Sequence, residues 1–227
     1  MSKEKKMKVL RKGKTFTVYY TENSSKEKII LKMINSEYLN DKEKYQKILK
    51  QFQIEKEILK QLDFDFMPKY IDSTELCLCM SYIEGENLKD IKNKLNYEEK
   101  LDILIQLSRI VKELHKAKII HCDIKPENIV YNRGKIYIID FGSAMLDGEK
   151  VEYIQGSKNY SAPEIYQEFI RCPQNDIYSV ASIYNQLIEE DKKDYRIIYG
   201  GMKKDKRERF NSIDKILRIL LDIRSKI

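Results

Sequence analysis

The stretch 121–142 reads HCDIKPENIVYNRGKIYIIDFG, and the rest of the chain is read outward from it. Asp123, Lys125, Asn128 and Asp140 fall within 18 residues, at the intervals needed to handle a magnesium-bound triphosphate and a hydroxyl nucleophile. The apolar runs NIVYN and KIYIID, split by Asn132-Arg133-Gly134, predict two short strands joined by a turn.

Upstream, residues 7–33 are β-rich and broken by turns: VLRKGKTFTVYY predicts a hairpin, and KIILKMI follows the polar turn ENSSKEK. Apolar or aromatic residues at 45, 48, 49, 52, 58, 59 and 62 keep helical spacing, so 41–62 is expected to be a long amphipathic helix. KYIDSTELCLCMSYI predicts two more strands, with Cys77 and Cys79 on one face as buried thiols. At Glu84-Gly85-Glu86 the pattern changes, and 87–118 predicts two helices. Residues 143–160 lack a period and are expected to form a long loop. A buried helix is predicted over 176–190 and an amphipathic one over 212–225. This β-rich then α-rich order, with a short crossing at 81–86, implies two lobes and a ligand-binding cleft.

His121, Cys122, Asp123 and Ile124, then Asn128, then Asp140-Phe141-Gly142 resemble the protein-kinase signature H-R-D-L-x-x-x-N followed by D-F-G. The resemblance extends along nearly the whole chain. It implies an α+β, bilobal protein-kinase-like fold forming one domain over 1–227: a small β-rich N-lobe with hinge at 1–83, carrying one long helix, and a reduced, mostly helical C-lobe at 84–227. Its cofactor would be Mg2+, with ATP as substrate. In it, Asp123 would accept or orient the substrate hydroxyl proton and Lys125 would neutralise the transferring phosphoryl group. Asn128 and Asp140 would be the metal ligands.

The same resemblance assigns Lys32 in IILK to the α- and β-phosphates, with Glu55 as its ion-pair partner. Glu57, the neighbouring candidate, lies about 200° further round the helix. Aligned on Val18, the glycine-rich loop G-x-G-x-x-G-x-V reads Arg11, Gly13 and Phe16 at its three glycine positions. Only Gly13 survives, so the loop is expected to be stiffer, with Arg11, Lys12 and Lys14 supplying charge. Val18, Ile30 and Val130 would sandwich adenine, Met80 would be the gatekeeper, and Ser81 and Ile83 would offer backbone hydrogen bonds to the base. Ile30 is bulkier than the usual alanine.

Lys125-Pro126-Glu127 and the string Gly156-Ser157-Lys158-Asn159-Tyr160-Ser161-Ala162-Pro163-Glu164 resemble the elements of kinases that phosphorylate Ser or Thr in proteins. Glu164 would pair with Arg209, and Asp176 would brace the catalytic-loop backbone. The short span from Asp176 to Arg209 implies a pared-down docking region, so the protein substrate is not carried over from the family. Cys122 replaces the arginine that gathers a phosphorylated activation loop, implying activity without that switch. Two other readings share these motifs. A pseudokinase acting as a binding or scaffold module suits the depleted glycine loop and Ile30, and a small-molecule kinase shares the Asp and Asn. The complete set Lys32, Glu55, Asp123, Asn128 and Asp140 favours catalysis over the first, and KPEN with the A-P-E string disfavours the second.

Composition agrees with a globular chain of 227 residues, 42% apolar and 35% charged, able to bury a core. The net charge of +7 gathers in MSKEKKMK and in KKDKRERF near 203–210, both read as solvated surface. No basic helix interleaved with aromatics points to nucleic acid. No apolar run nears about 18 residues, so no membrane span is expected. The basic start has no apolar core after it, so it does not read as a secretory signal. The four cysteines show no metal spacing, and a reducing cytoplasm is the expected compartment.

Overall fold

Alternating apolar residues in residues 8–34 fold as three antiparallel strands: β1 Lys8–Lys12, β2 Phe16–Glu22 and β3 Lys28–Ile34. The computed structural model describes residues 7–37, 41–149, 157–166 and 171–227. Its chain divides into two compact units, Met1–Glu84 and Gly85–Ile227.

In the first unit, β4 Tyr70–Ser73 and β5 Cys77–Ser81 complete a five-stranded sheet of order β1-β2-β3-β5-β4. Helix α1, Lys42–Gln61, begins where the Asp41 side chain accepts a hydrogen bond from the Lys44 N–H. It buries Ile48, Phe52, Ile58 and Leu59, the apolar stripe its spacing predicts. A buried lysine also ties the helix to the sheet. Lys56 Nζ donates to the carbonyls of Thr74 and Glu75 at 2.7 and 2.8 Å and lies 4.2 Å from the Phe52 ring centroid.

The cysteine expectation is corrected here. On β5 the buried residues are Leu78 and Met80, while Cys77 and Cys79 are only half-buried. A strand with apolar residues on both faces gives its deeper face to the larger side chains, which fill more of the core.

The second unit opens with β6 Glu86–Asn87 and the single helical turn α2, Leu88–Ile91. Helix α3, Tyr97–Lys116, starts with a capping box in which Asn96 and Glu99 satisfy each other's backbone N–H groups at 2.9 Å. Its face of Leu101, Leu104, Leu107, Val111 and Leu114 is fully buried. The predicted hairpin is β8 Ile129–Asn132 and β9 Lys135–Ile138, joined by Arg133 and Gly134 at φ 48° and 85°. Positive φ at both positions matches strand twist in a two-residue turn. With β6 they form a three-stranded sheet, and β7 Ile119–Ile120 pairs with β10 Met145–Leu146.

Helices α4 Pro173–Leu187, α5 Tyr195–Gly201 and α6 Asp214–Arg224 finish the unit. Helix α4 begins three residues before the expected 176, because the Asn175 side chain accepts from the Cys172 N–H and Pro173 suits a first helical turn. The expected loop 143–160 contains β10, while its residues 150–156, including Gly156 of the substrate-loop string, lie outside the described residues. Among the described residues, no helix is long and apolar enough to cross a membrane.

Gly85 shows a backbone position that only glycine fits. Its φ is 138°, and a Cβ there would lie 2.4 Å from the Tyr131 carbonyl oxygen. Gly85→Ala is expected to destabilise the protein by at least about 1–3 kcal/mol, from backbone strain alone. Urea denaturation of the two forms measures this directly.

Candidate active site

The chemistry-bearing residues fall on both units, and each group is built within its own unit. In the first, sheet register decides which side chains share a face. Val18 and Leu78 lie opposite Lys32 on its two sides, and Met80 lies opposite Ile30. Directly opposed residues point the same way, as do residues two apart, so Val18, Ile30, Lys32 and Met80 occupy one face.

Lys32 is 5% exposed, and its Nζ donates to both carboxylate oxygens of Glu55 at 2.8 Å. Glu55, on the inward stripe of α1, is fully buried. Glu57 is exposed and accepts a hydrogen bond from Gln53 instead. A buried lysine and glutamate exist as a charged pair because each offsets the other's desolvation.

The glycine-poor turn is held by a residue that sequence reading passed over. Asn35 Nδ2 donates to the carbonyls of Gly13 and Lys14 at 2.9 and 2.8 Å. Its Oδ1 accepts from Thr17 Oγ1 at 2.7 Å, and its N–H donates to the Thr15 carbonyl. Gly13 itself donates to the Phe16 carbonyl at 2.9 Å. The Phe16 ring packs 5.0 Å from that of Phe52 and 4.8 Å from Lys32 Nζ, so the third glycine position has become part of the packing around the ion pair. At the end of the unit, the Ser81 N–H donates to the Lys69 carbonyl at 2.9 Å. No described residue makes a hydrogen bond to the Ile83 backbone.

In the second unit, the catalytic-loop segment turns on Cys122, whose φ of 65° is left-handed. Buried Asp176, in the first turn of α4, fixes this turn. Its Oδ1 accepts from the Cys122 N–H and its Oδ2 from the His121 N–H and His115 Nε2, all at 2.9 Å. Burial pushes the His121 imidazole pKa down, against the pull of nearby Asp176, Asp123 and Asp140. Its ring packs 4.9 Å from that of Phe141.

Three side chains then converge on Asp123. Lys125 Nζ donates to Oδ2 at 2.6 Å, Ser157 Oγ donates to Oδ1 at 2.7 Å, and Asn128 Nδ2 donates to Oδ2 at 3.1 Å and to the main-chain oxygen at 2.9 Å. Lys125 also donates to Ser157 Oγ at 2.8 Å, so Asp123, Lys125 and Ser157 form a closed ring. Sequence reading quoted Ser157 but gave it no role. The signal available was its place as the second letter of the Gly156–Glu164 string.

The Asn128 amide is fixed by its neighbours. Both Nδ2 partners are acceptors, so Oδ1 must face the other way, and that oxygen is buried without a hydrogen-bond donor among the described residues. A buried neutral oxygen lacking a partner is costly, and a hard cation would satisfy it. Asp140 follows β9 at φ 66°, its Oδ1 accepting from the Gly142 N–H at 3.4 Å. This amide and carboxylate fit magnesium, which takes oxygen donors and retains several non-protein ligands.

Elsewhere in the second unit, Glu164 and Arg209 form a buried pair. Arg209 donates to both oxygens of Glu164 at 2.6 Å, and both residues are 5% exposed. Asn175 Nδ2 donates to the same carboxylate at 2.7 Å, linking it to the start of α4. Val130, on β8, is buried opposite the half-buried Tyr137.

Residues 5–222 match the sequence profile described as Protein kinase domain. The chain is 28% identical over 190 residues to serine/threonine-protein kinase nekl-2 of Caenorhabditis elegans, covering 75% of this chain and 52% of that one. It is 27% identical over 195 residues to serine/threonine-protein kinase PrkC of Bacillus subtilis, covering 80% and 30%. Against KEOPS complex subunit Bud32 of Pyrococcus abyssi it is 40% identical over 77 residues, 34% of this chain and 35% of that protein. The matched regions thus span about a third to a half of these relatives. With a profile match across nearly its whole length, the chain belongs to the protein kinase domain family.

Proposed function

We propose that this protein transfers the γ-phosphoryl group of magnesium-bound ATP to serine or threonine hydroxyls of protein substrates. The observation that carries the reading is the cluster in which Lys125, Ser157 and Asn128 hold the Asp123 carboxylate while the Asn128 oxygen is left buried and unpartnered.

Asp123 orients the substrate hydroxyl and takes up its proton, and Lys125 balances the charge on the moving phosphoryl group. Asn128 and Asp140 would hold magnesium, which when bound would neutralise charge on the phosphate oxygens. Lys32, fixed by Glu55, meets the α- and β-phosphates. By the resemblance, Val18, Ile30 and Met80 in the first unit and Val130 in the second would be the adenine-contacting residues, and the Ile83 backbone, without a hydrogen bond among the described residues, would offer hydrogen bonds to the base edge. Gly13 is the one glycine left near the phosphates, and the Asn35 clamp gives that turn a fixed shape.

Ser/Thr rather than tyrosine or metabolite transfer is supported by Lys125 and by the Ser157 ring, which ties the substrate-loop string to the catalytic carboxylate. Cys122 supports activity that needs no phosphorylated activation loop. The test is phosphoamino-acid analysis of a mixed protein substrate after incubation with Mg-ATP. Phosphoserine and phosphothreonine are expected. Phosphotyrosine, or label confined to small molecules, would overturn the assignment.

A further inference from the structure

A small cavity opens on the second unit between the end of α2 and the end of α4. Its volume is about 180 Å³, and its polar lining is Lys92, Asn93, Lys100, Gln186 and Glu189. One water takes about 30 Å³ of liquid, so there is room for a side-chain head group. Two of the lining charges cancel. Lys100, 8% exposed, donates to Glu189 through Nζ, and that hydrogen bond holds the Glu189 carboxyl below its usual pKa. Lys92 is different. It is half-buried, and its ammonium has no hydrogen-bond or ion-pair partner among the described residues. A partly desolvated charge without a partner is costly, and an opposite charge offsets that cost.

Direct contacts tie the cavity to the candidate catalytic residues. Ser157 Oγ donates to Asp123 Oδ1 at 2.7 Å, and the Tyr160 N–H donates back to the Ser157 carbonyl at 2.9 Å. The Tyr160 hydroxyl donates to Gln186 Oε1 at 2.8 Å, and Gln186 Nε2 donates to the Asn159 carbonyl at 3.3 Å. Gln186 thereby joins the cavity wall to the substrate-loop string. A turn such as 157–160 keeps its ends within about 7 Å, and an extended chain advances about 3.3 Å per residue. A substrate whose hydroxyl meets Asp123 would reach the cavity within about four to six residues.

The charges along this path favour an anion. Glu127, between Lys125 and Asn128 in sequence, pairs with Lys89 at 3.0 Å, on the same helical turn that leads to Lys92. The pairing offsets a carboxylate that would otherwise repel an acidic substrate. The second Glu127 oxygen is buried, and so closed to a basic side chain from outside. Burial raises the Tyr160 pKa, Glu127 adds to the rise and Lys89 opposes it, so this pair borders the same loop.

We propose that the cavity is a specificity site in which Lys92 receives an acidic side chain of the protein substrate, a few residues from the accepting hydroxyl. This rests on the kinase reading above for the reaction, but not for the binding. A carboxylate is the fitting anion, because one unpaired ammonium balances its single negative charge, whereas a phosphorylated side chain carries nearly two. Asn93 adds an amide donor to the same wall.

The experiment takes the full chain, Mg-ATP and serine peptides that differ at one position. That position carries Asp, Ala or Lys and is moved from about two to six residues on either side of the serine. Turnover gives kcat/KM, and fluorescence anisotropy of labelled peptides without ATP gives affinity. At its best position the Asp peptide should exceed the Ala peptide by about fivefold in both, the worth of a half-exposed ion pair, with the gain in KM and not in kcat. Lys92→Ala should bring the two peptides within about twofold of each other, and Lys92→Glu should make the Lys peptide the preferred one. A residue with a merely structural role would not reverse the preference, and the Ala peptide should stay within about twofold of wild type in both variants. No gain from Asp at any position, or a Lys92→Glu variant that still prefers Asp, would overturn the proposal. Binding that depends on Asp and on Lys92, without phosphoryl transfer, would uphold the site and count instead against the kinase reading.

Discussion

Asp123→Ala is expected to lower kcat for phosphoryl transfer by about 10²–10⁴-fold, the usual worth of a positioned acid–base group. KM for ATP should change little, because Asp123 acts on the hydroxyl and not on the nucleotide. The fold should tolerate the change. Asn128 Nδ2 keeps its 2.9 Å bond to the residue 123 main-chain oxygen, and Lys125 keeps Ser157 as an acceptor. Steady-state kinetics at varied ATP separate the two parameters. A parallel rise in KM for ATP would place Asp123 on the nucleotide instead.

Arg209→Ala should produce the largest loss of stability. It removes a bidentate pair at 2.6 Å and leaves the Glu164 carboxylate, 5% exposed, with the Asn175 amide as its remaining hydrogen-bond partner among the described residues. Breaking one side of a buried ion pair costs about 3–5 kcal/mol. At about 2–4 °C per kcal/mol for chains of this size, the melting temperature should fall by about 6–20 °C. Arg209→Lys should recover only part of this, since an ammonium cannot reproduce the fork that also donates to the Lys203, Lys204 and Gln174 carbonyls. Thermal unfolding followed by circular dichroism is the measurement.

The parts of the fold that could be read in advance are those whose pattern is local. The stripe of α1 and the capping box of α3 carry their own signals, and the strand alternation before Lys32 made the sheet legible. The same is true of HCDIKPEN and DFG, because phosphoryl transfer fixes both residue type and spacing.

What escaped reading depends on partners far along the chain. Strands β6, β7 and β10 are two residues each and exist because a neighbour pairs with them. Helix α5 ends in Gly200 and Gly201, letters that suggest a turn. Yet a Cβ at Gly200 would meet the Phe210 ring at 2.0 Å, and one at Gly201 would meet Ala181 Cβ at 2.4 Å. Those glycines permit close packing. Ser157 reaches Asp123 across 34 residues, and Asn35 reaches Gly13 across 22, separations that periodicity cannot register. Arg171 stands in the polar string RCPQND, yet the fold buries it.

We propose that Asp123, Lys125, Asn128 and Asp140, with Lys32, carry magnesium-dependent phosphoryl transfer to protein. The most direct measurement is transfer of label from γ-labelled ATP to protein, with magnesium, by the wild type and by Asp140→Asn side by side. Label on protein is expected with the wild type, lost on chelation of magnesium and reduced to background in Asp140→Asn. Full magnesium-dependent transfer by Asp140→Asn, or nucleotide binding by the wild type without any transfer, would contradict it.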